Sequence, residues 1–457
     1  MLDKLVQWVG AANGFLWGPF ALISLTIIGI YLTVGTKFVH IKKFGYILKK
    51  TIKSAAGKDE DNDAEGILTS SQSLFTSLAS VIGMGSIVGV ASAVLSGGPG
   101  ALLWMWIAAI IGMIIKYAEI ILIIKYREKT DDGDYVGGPA LYVKKGLKVP
   151  YVGEILTILM VLVCLTSTMV QSNVIVENII NIIPGTGISR SVFSIIIVIL
   201  AGIVLIGGIK RLGSVAEKLV PFMSGFYLIA GFIVIIANAQ NIIPAFKLIF
   251  KGFASPVAVG GGVLGYGIKQ ASQYGIARGF FVSGSGQAVF TVSHAPAKVK
   301  NPVDQAIYAI TEIFLVTIIC TVSGLAILTS GVFTPDGNAA ILVTQAFAKT
   351  LNIFGLFVGI ATILFSYTTV IGLGYIGESQ LSCIMSASKA KIYRYIFLVF
   401  TFIGGIGGLQ QIWDMTDFFL AIVMFINLIV MMIMSKEVFK TSNDYWWSLD
   451  NQGKIRV

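Results

Sequence analysis

Two short runs of glycine and serine stand inside long apolar stretches, Gly83-Met84-Gly85-Ser86 and Ser283-Gly284-Ser285-Gly286-Gln287. Glycine costs about 1 kcal/mol relative to alanine in a helix interior, so clusters of this kind interrupt helices. In lipid, an unwound segment is tolerated only where it is buried in protein or lines a cavity, because its freed backbone groups need partners. The amides of such a segment, at half-helix N-terminal ends, suit a carboxylate, and its carbonyls suit a cation. The competing reading is close helix packing through small residues. Two breaks at matching places in the chain favour a site over packing.

The ionisable residues within apolar stretches are few. Each costs roughly 2.5 to 3.5 kcal/mol on insertion scales and so marks a pathway or a pair. Lys116 and Glu119 stand three apart on one helix face, a spacing that predicts a structural salt bridge. Arg278 precedes the second break and is a candidate outer gate or a holder of an acidic substrate. Glu378 and Glu312 are candidate gating or proton-coupling groups, with snorkelling toward an interface as the alternative. His40 and His294 are the only histidines, and no HExxH, GxSxG or Walker pattern occurs. No catalytic machinery is visible and no enzyme is expected; His294 is expected to be a packed histidine rather than a proton relay.

The elements that position these residues follow from composition. Of 457 residues, 56% are hydrophobic and only 12% charged, which excludes a water-soluble enzyme. A bilayer core about 30 Å thick takes roughly 20 apolar residues per helix. Eleven stretches qualify, near 15–34, 69–95, 101–124, 151–180, 191–207, 216–237, 265–297, 305–333, 350–385, 391–407 and 414–435. The first is too long for the apolar core of a signal peptide and reads as a retained helix. The net charge of +10 comes from basic residues in loops, such as Lys37, Lys42, Lys43, Lys49, Lys50, Lys53 and Lys58 before the acidic run Asp59 to Glu65. Topology accounts for them, and no nucleic-acid partner is expected. Assigning alternate loops to alternate sides puts roughly 25 of the 33 Lys and Arg on one face and about 5 on the other, leaving Lys116, Lys269 and Arg278 inside spans. The rich face is then cytoplasmic, the N-terminus outside and the C-terminal tail 436–457 inside. Cys164, Cys320 and Cys383 all lie in apolar segments and offer no disulfide framework.

Spans two to six (69–237) and seven to eleven (265–435) form two sets of five, and five being odd, the second enters the membrane with opposite orientation. The first helices of the two sets carry the two breaks. One stretch then gives a specific match. Gly97-Gly98-Pro99-Gly100-Ala101-Leu102-Leu103-Trp104-Met105-Trp106-Ile107, followed by Gly112 and Lys116-Tyr117-Ala118-Glu119, resembles the signature of the alanine/glycine:cation symporter family. Trp17-Gly18-Pro19, Met169-Val170-Gln171-Ser172-Asn173, Gly207-Gly208-Ile209-Lys210, Val220-Pro221-Phe222-Met223 and Tyr375-Ile376-Gly377-Glu378 extend the resemblance over nearly the whole chain.

The resemblance implies an all-α polytopic membrane protein with a leucine-transporter-like five-plus-five inverted repeat and one extra N-terminal helix. It implies sodium-driven uptake of alanine or glycine across a prokaryotic inner membrane. It also implies a sodium site between the carbonyls of Ala79 and Ile82 and the hydroxyls of Thr368 and Thr369. The competing reading of those threonines is a bond back to their own helix. Gly83, Met84, Gly85, Ser86, Ser283, Gly284 and Thr369 are expected around the substrate, with Thr166, Gln171, Phe281 and Leu373 as side-chain walls. The family pattern Gly-Thr-Gly-Asn stands here as Gly83-Met84-Gly85-Ser86, and Thr-x-x-Gly-Trp as Thr369-Val370-Ile371-Gly372-Leu373. The first change makes a second cation site at Ser86 doubtful; together they predict a reshaped pocket that takes alanine, glycine or a different or larger side chain. A monomer in lipid is expected, with sodium as the coupling ion. Proton coupling and a non-transporting sensor of the same fold are the alternatives.

Overall fold

The computed structural model describes residues 2–57, 64–185, 187–254, 267–334, 337–407 and 410–451. Lys58, the acidic run as far as residue 63, and the tail beyond 451 lie outside these. The first apolar segment comprises α1 (Leu2–Phe15) and α2 (Ala21–Gly35), joined by a wide turn around Gly18 and Pro19. A proline inside a helix removes one backbone bond, which accounts for the interruption. Two short helices follow, α3 (Val39–Lys42) and the amphipathic α4 (Phe44–Ala55). Helix α4 is pinned at the end of a later span, with Thr51 Oγ1 2.9 Å from Thr311 Oγ1 and Lys50 Nζ 2.7 Å from Asp304.

The first broken span is α5 (Ser70–Val81) and α6 (Val90–Gly97), the two arms bent by 62°. Thr69 starts it with a capping box: its hydroxyl accepts from the Gln72 N–H, and its own N–H donates to the Gln72 side chain. Helix α7 (Ala101–Tyr126) is buried along most of its length, and a two-stranded hairpin pairs Glu128–Lys129 (β1) with Tyr135–Val136 (β2). Then come α8 (Pro139–Tyr142), α9 (Pro150–Ile182), α10 (Arg190–Ile206), α11 (Gly208–Ala237) and α12 (Ile242–Ala254).

The second broken element is α13 (Ile268–Ser283), which ends in a loop and resumes only as a tight 3-10 turn, Phe290–His294. Helix α14 (Pro302–Ser330) starts with Asn301 capping the Val303 N–H and proline in its first turn. The remaining helices are α15 (Ala339–Thr350), α16 (Asn352–Leu381), α17 (Ala387–Ala390), α18 (Ile392–Ile406), α19 (Gln410–Ile433) and α20 (Ser435–Asn451).

Among the described residues seven helices are long and apolar enough to cross a membrane, or eight if the bent pair counts as one span. Helix α10, at 17 residues, α13, at 16, and α18, at 15, are shorter. Span seven, expected over 265–297, is α-helical from Ile268 only as far as Ser283, residues 265 and 266 lying outside the described ones. One buried core runs through the bundle, in which α5 packs on α11 and α16, and α7 on α13 and α14.

Candidate substrate and cation site

The first break begins where α5 makes its last regular bond, Ile82 N–H to Leu78 O at 2.8 Å. Gly83 N–H then turns to Val81 O at 2.9 Å rather than to Ala79 O, and the chain restarts as a wide turn over Gly85–Gly89. A Cβ on Gly83 would stand 2.9 Å from Thr369 Oγ1 and 3.2 Å from Gln171 Nε2. Only glycine leaves room for both. The Thr369 hydroxyl donates to Phe365 O at 3.0 Å and, more weakly, to Ala79 O at 3.3 Å. Two oxygens sharing a hard cation at about 2.4 Å sit roughly 3.4 Å apart, so a cation could replace the hydroxyl proton between this hydrogen-bonded pair with little movement. Thr369, Ala79, Gly83 and Gln171 are thus brought together. The hydroxyl of Thr368 instead donates to Phe365 O at 2.9 Å and points at Met223 Sδ, 3.9 Å away. Ile82 lies at the break itself.

Three buried polar atoms near the breaks, Ser86 Oγ, Gln171 Oε1 and Gln287 Oε1, have no hydrogen-bond partner in the protein. Other buried polar atoms without a partner, such as Ser71 Oγ, Trp104 Nε1, Thr157 Oγ1 and Ser366 Oγ, lie elsewhere in the bundle; those at the breaks are the ones placed where a polar ligand could satisfy them together with loop amides. Phe281 lies 3.7 Å from the position of a Cβ on Gly85 and edge-on to Trp17, with ring centroids 6.0 Å apart, so it connects the two breaks. The Arg278 guanidinium lies over the Phe281 ring at 5.7 Å. Leu373 and Met84 are buried. The Thr166 hydroxyl is spent within its own helix, donating to Leu162 O and Val163 O.

The second break turns on left-handed backbone. Gly284 has φ +65° and Gly286 φ +79°, and Ala288 adopts φ +59°, a conformation that costs a residue bearing Cβ strain energy. Ser283 Oγ and Ser285 Oγ bond each other at 2.9 Å. The Ala288 N–H donates to Glu119 Oε1 at 3.3 Å, and Asn427 Nδ2 donates to the same oxygen at 2.6 Å and to Gly286 O at 3.0 Å. Asn427 in turn is bonded by the Tyr142 hydroxyl. Glu119 and Asn427 therefore hold the strained loop in place, a role that no local spacing announces because Asn427 is 308 residues away.

The expected Lys116–Glu119 salt bridge is corrected. Lys116 Nζ pairs with Glu312 Oε1 at 2.6 Å, both side chains fully buried, and donates to Ser283 O at 3.4 Å. Tertiary burial outweighs the i, i+3 spacing: Glu312 offers a desolvated counter-charge, while Glu119 is drawn to the loop amides. Glu312 also accepts from Ser77 Oγ at 2.7 Å and lies 3.2 Å from His294 Nε2. It does not snorkel. His294 is packed, with Gln305 Nε2 2.8 Å from Nδ1. Glu378 meets Arg394 in a two-pronged ion pair, Nη2 to Oε1 at 2.6 Å, away from both breaks.

The pattern of the Sodium:alanine symporter family matches residues 2–456. The chain is 34% identical to the sodium/alanine symporter AgcS of Methanococcus maripaludis, over 94% of this chain and 95% of that one. It is 33% identical to the uncharacterized transporter YflA of Bacillus subtilis, over 97% and 96%, and 30% identical to the probable sodium/glutamine symporter GlnT of the same organism, over 97% and 91%. Among solved structures, MhsT in complex with L-phenylalanine has a similar fold, with TM-score 0.60 at 13% identity over 81% of this chain and 89% of that one. A Na+-coupled sialic acid symporter superposes with TM-score 0.53 at 12% identity, over 86% and 82%.

Proposed function

Because this chain belongs to the sodium:alanine symporter family, we propose that it imports a small neutral amino acid together with sodium by alternating access. That it is a membrane transporter for amino acids, and not an enzyme, comes with the family. The observation that carries the coupling ion is the junction of Thr369 Oγ1 with Ala79 O, 3.3 Å apart across the first break. An ion there is held by uncharged oxygens of two elements at once and favours the conformation in which they meet. Ile82 O supplies a further carbonyl at the break, and Thr368 buttresses α16 from behind.

The amino acid lies between the breaks in this reading. Its carboxylate meets main-chain amides of the two loops, Met84 and Gly85 at the first and Ser285 to Gln287 at the second, those of Gly83, Ser86 and Gly284 already being bonded to Val81 O, Gly83 O and Phe281 O, and its ammonium the orphaned oxygens of Gln171 and Ser86. Phe281, Met84 and Leu373 bound the side-chain space, Thr166 stiffens its wall from within α9, and Arg278 above Phe281 gates the outer entrance. The eleven spans with N-terminus outside, the two inverted sets of five, the prokaryotic inner membrane and the monomeric state complete the proposal. Proton coupling through Glu312 or Glu378 has less support, since each carboxylate already holds a cationic partner.

The test is uptake into proteoliposomes. Alanine or glycine accumulates under an inward sodium gradient; accumulation of equal size when potassium or choline replaces sodium rules the coupling out.

A further inference from the structure

The two breaks are furnished differently. The first offers a cation only neutral oxygens. At the second, the carbonyl that ends α13, Ser283 O, receives the ammonium of Lys116 at 3.4 Å, and the same ammonium pairs with Glu312 at 2.6 Å. Lys116 and Glu312 are both 0% exposed, so neither charge is screened by water.

The groups facing this pair come from every element around it. From α5, Ser77 donates to Glu312 Oε1. From the 3-10 turn, His294 bonds Oε2. The Gln305 amide donates to His294 Nδ1, which leaves the ring proton on Nε2, aimed at Glu312. One turn along α7, Glu119 is engaged by Asn427 and the Ala288 N–H. Lys116 Nζ thus meets a carboxylate oxygen and a main-chain carbonyl, oxygen donors of the kind a small hard cation takes, with the Ser77 hydroxyl one bond further out on the same carboxylate oxygen.

We infer that the Lys116 ammonium is a built-in cation for the second break, and that a small free monovalent cation takes its place when the ammonium is removed. Under the sodium-symport reading, on which this last consequence rests, the second break then contributes no diffusible ion and one sodium, at the first break, accompanies each substrate. The tether also links α7, α14, α5 and the end of α13, so the second break carries its compensating charge within the protein. Lys116 acts through Ser283 and Glu312 and is a positioning residue.

The experiment uses the full chain in detergent and reads thermal unfolding against added sodium, lithium and potassium, with choline holding ionic strength constant. A Thr369→Val background removes the response of the first break. Lys116→Met in that background is destabilised in choline and recovers with sodium or lithium, gaining about 3 °C or more that the Lys116 parent does not show. Lys116→Arg keeps the parent's ion response, and Lys116→Met with Glu312→Gln loses the gain, because no charge is left to compensate. An ion response of Lys116→Met equal to that of its parent overturns the inference. So does failure of both Lys116→Met and Lys116→Gln to be purified in sodium, since a free ion should replace the tether. Because the readout is an ion response acquired by the variant, it stands whether or not native uptake proves to be sodium-driven.

Discussion

Thr369 bridges two elements that must separate when an ion leaves, α5 through Ala79 O and α16 through Phe365 O. Thr369→Val keeps the shape and removes the oxygen, so the sodium concentration for half-maximal uptake rises about tenfold or more, roughly the loss of one good hydrogen bond. Thr368→Val has a smaller effect, because its hydroxyl faces Phe365 O and Met223. A sodium titration of uptake in both variants checks the ranking. Outside the membrane, burial holds the His40 imidazole down at about 4 from its ordinary 6.5. The unfolded chain therefore binds the proton first: this contribution to stability is complete above pH 6.5 and is lost as the pH falls toward 4. The melting temperature of His40→Leu therefore varies less with pH over that window than that of the parent. At this scale the contact of Thr369 with the first broken helix was anticipated from the family pattern. The partner of Lys116 was not, since Glu312 lies 196 residues along the chain and spacing speaks only for neighbours on one helix.

The two interrupted helices show what composition announces about an element and what it leaves out. Glycine clusters located both breaks, since the cost of glycine in a helix is local. How each helix restarts depends on distant contacts: a wide turn at Gly85–Gly89, and a 3-10 turn after an alanine in left-handed conformation. Nothing about Ala288 in the sequence suggests positive φ; Glu119 and Asn427 impose it from two other helices. Gly83→Ala tests the first break as an element. Its methyl group would meet Thr369 Oγ1 at 2.9 Å and Gln171 Nε2 at 3.2 Å. Overpacking of this kind costs about 1–3 kcal/mol, so substrate affinity falls tenfold or more while the protein still purifies as a folded monodisperse species. Normal affinity in that variant would place the substrate elsewhere.

Across the whole molecule, the starts and ends of the broken helices are tied to one another. Lys298 N–H donates to Leu68 O at 2.7 Å, Ile67 N–H to Pro296 O at 2.8 Å, and Arg127 clamps Ala295 O, Ala297 O and Glu65 O. This closes one end of the bundle. Arg127→Ala loosens it, and a cysteine introduced at Ser71, a buried position just inside the closure, is labelled several-fold faster by a polar maleimide in that background, the three native cysteines being buried. Loop charges set the expected sidedness of the chain, yet they say nothing of this clamp, which is made by backbone carbonyls that any sequence carries. The central claim is that sodium and an amino acid share one translocation event, and linkage makes that claim reciprocal. The most direct measurement is therefore the influx of radiolabelled sodium into proteoliposomes with no sodium gradient and the membrane potential clamped. An inward alanine gradient drives sodium above its equilibrium level in the parent protein and not in Thr369→Val; sodium entry indifferent to the alanine gradient contradicts the account.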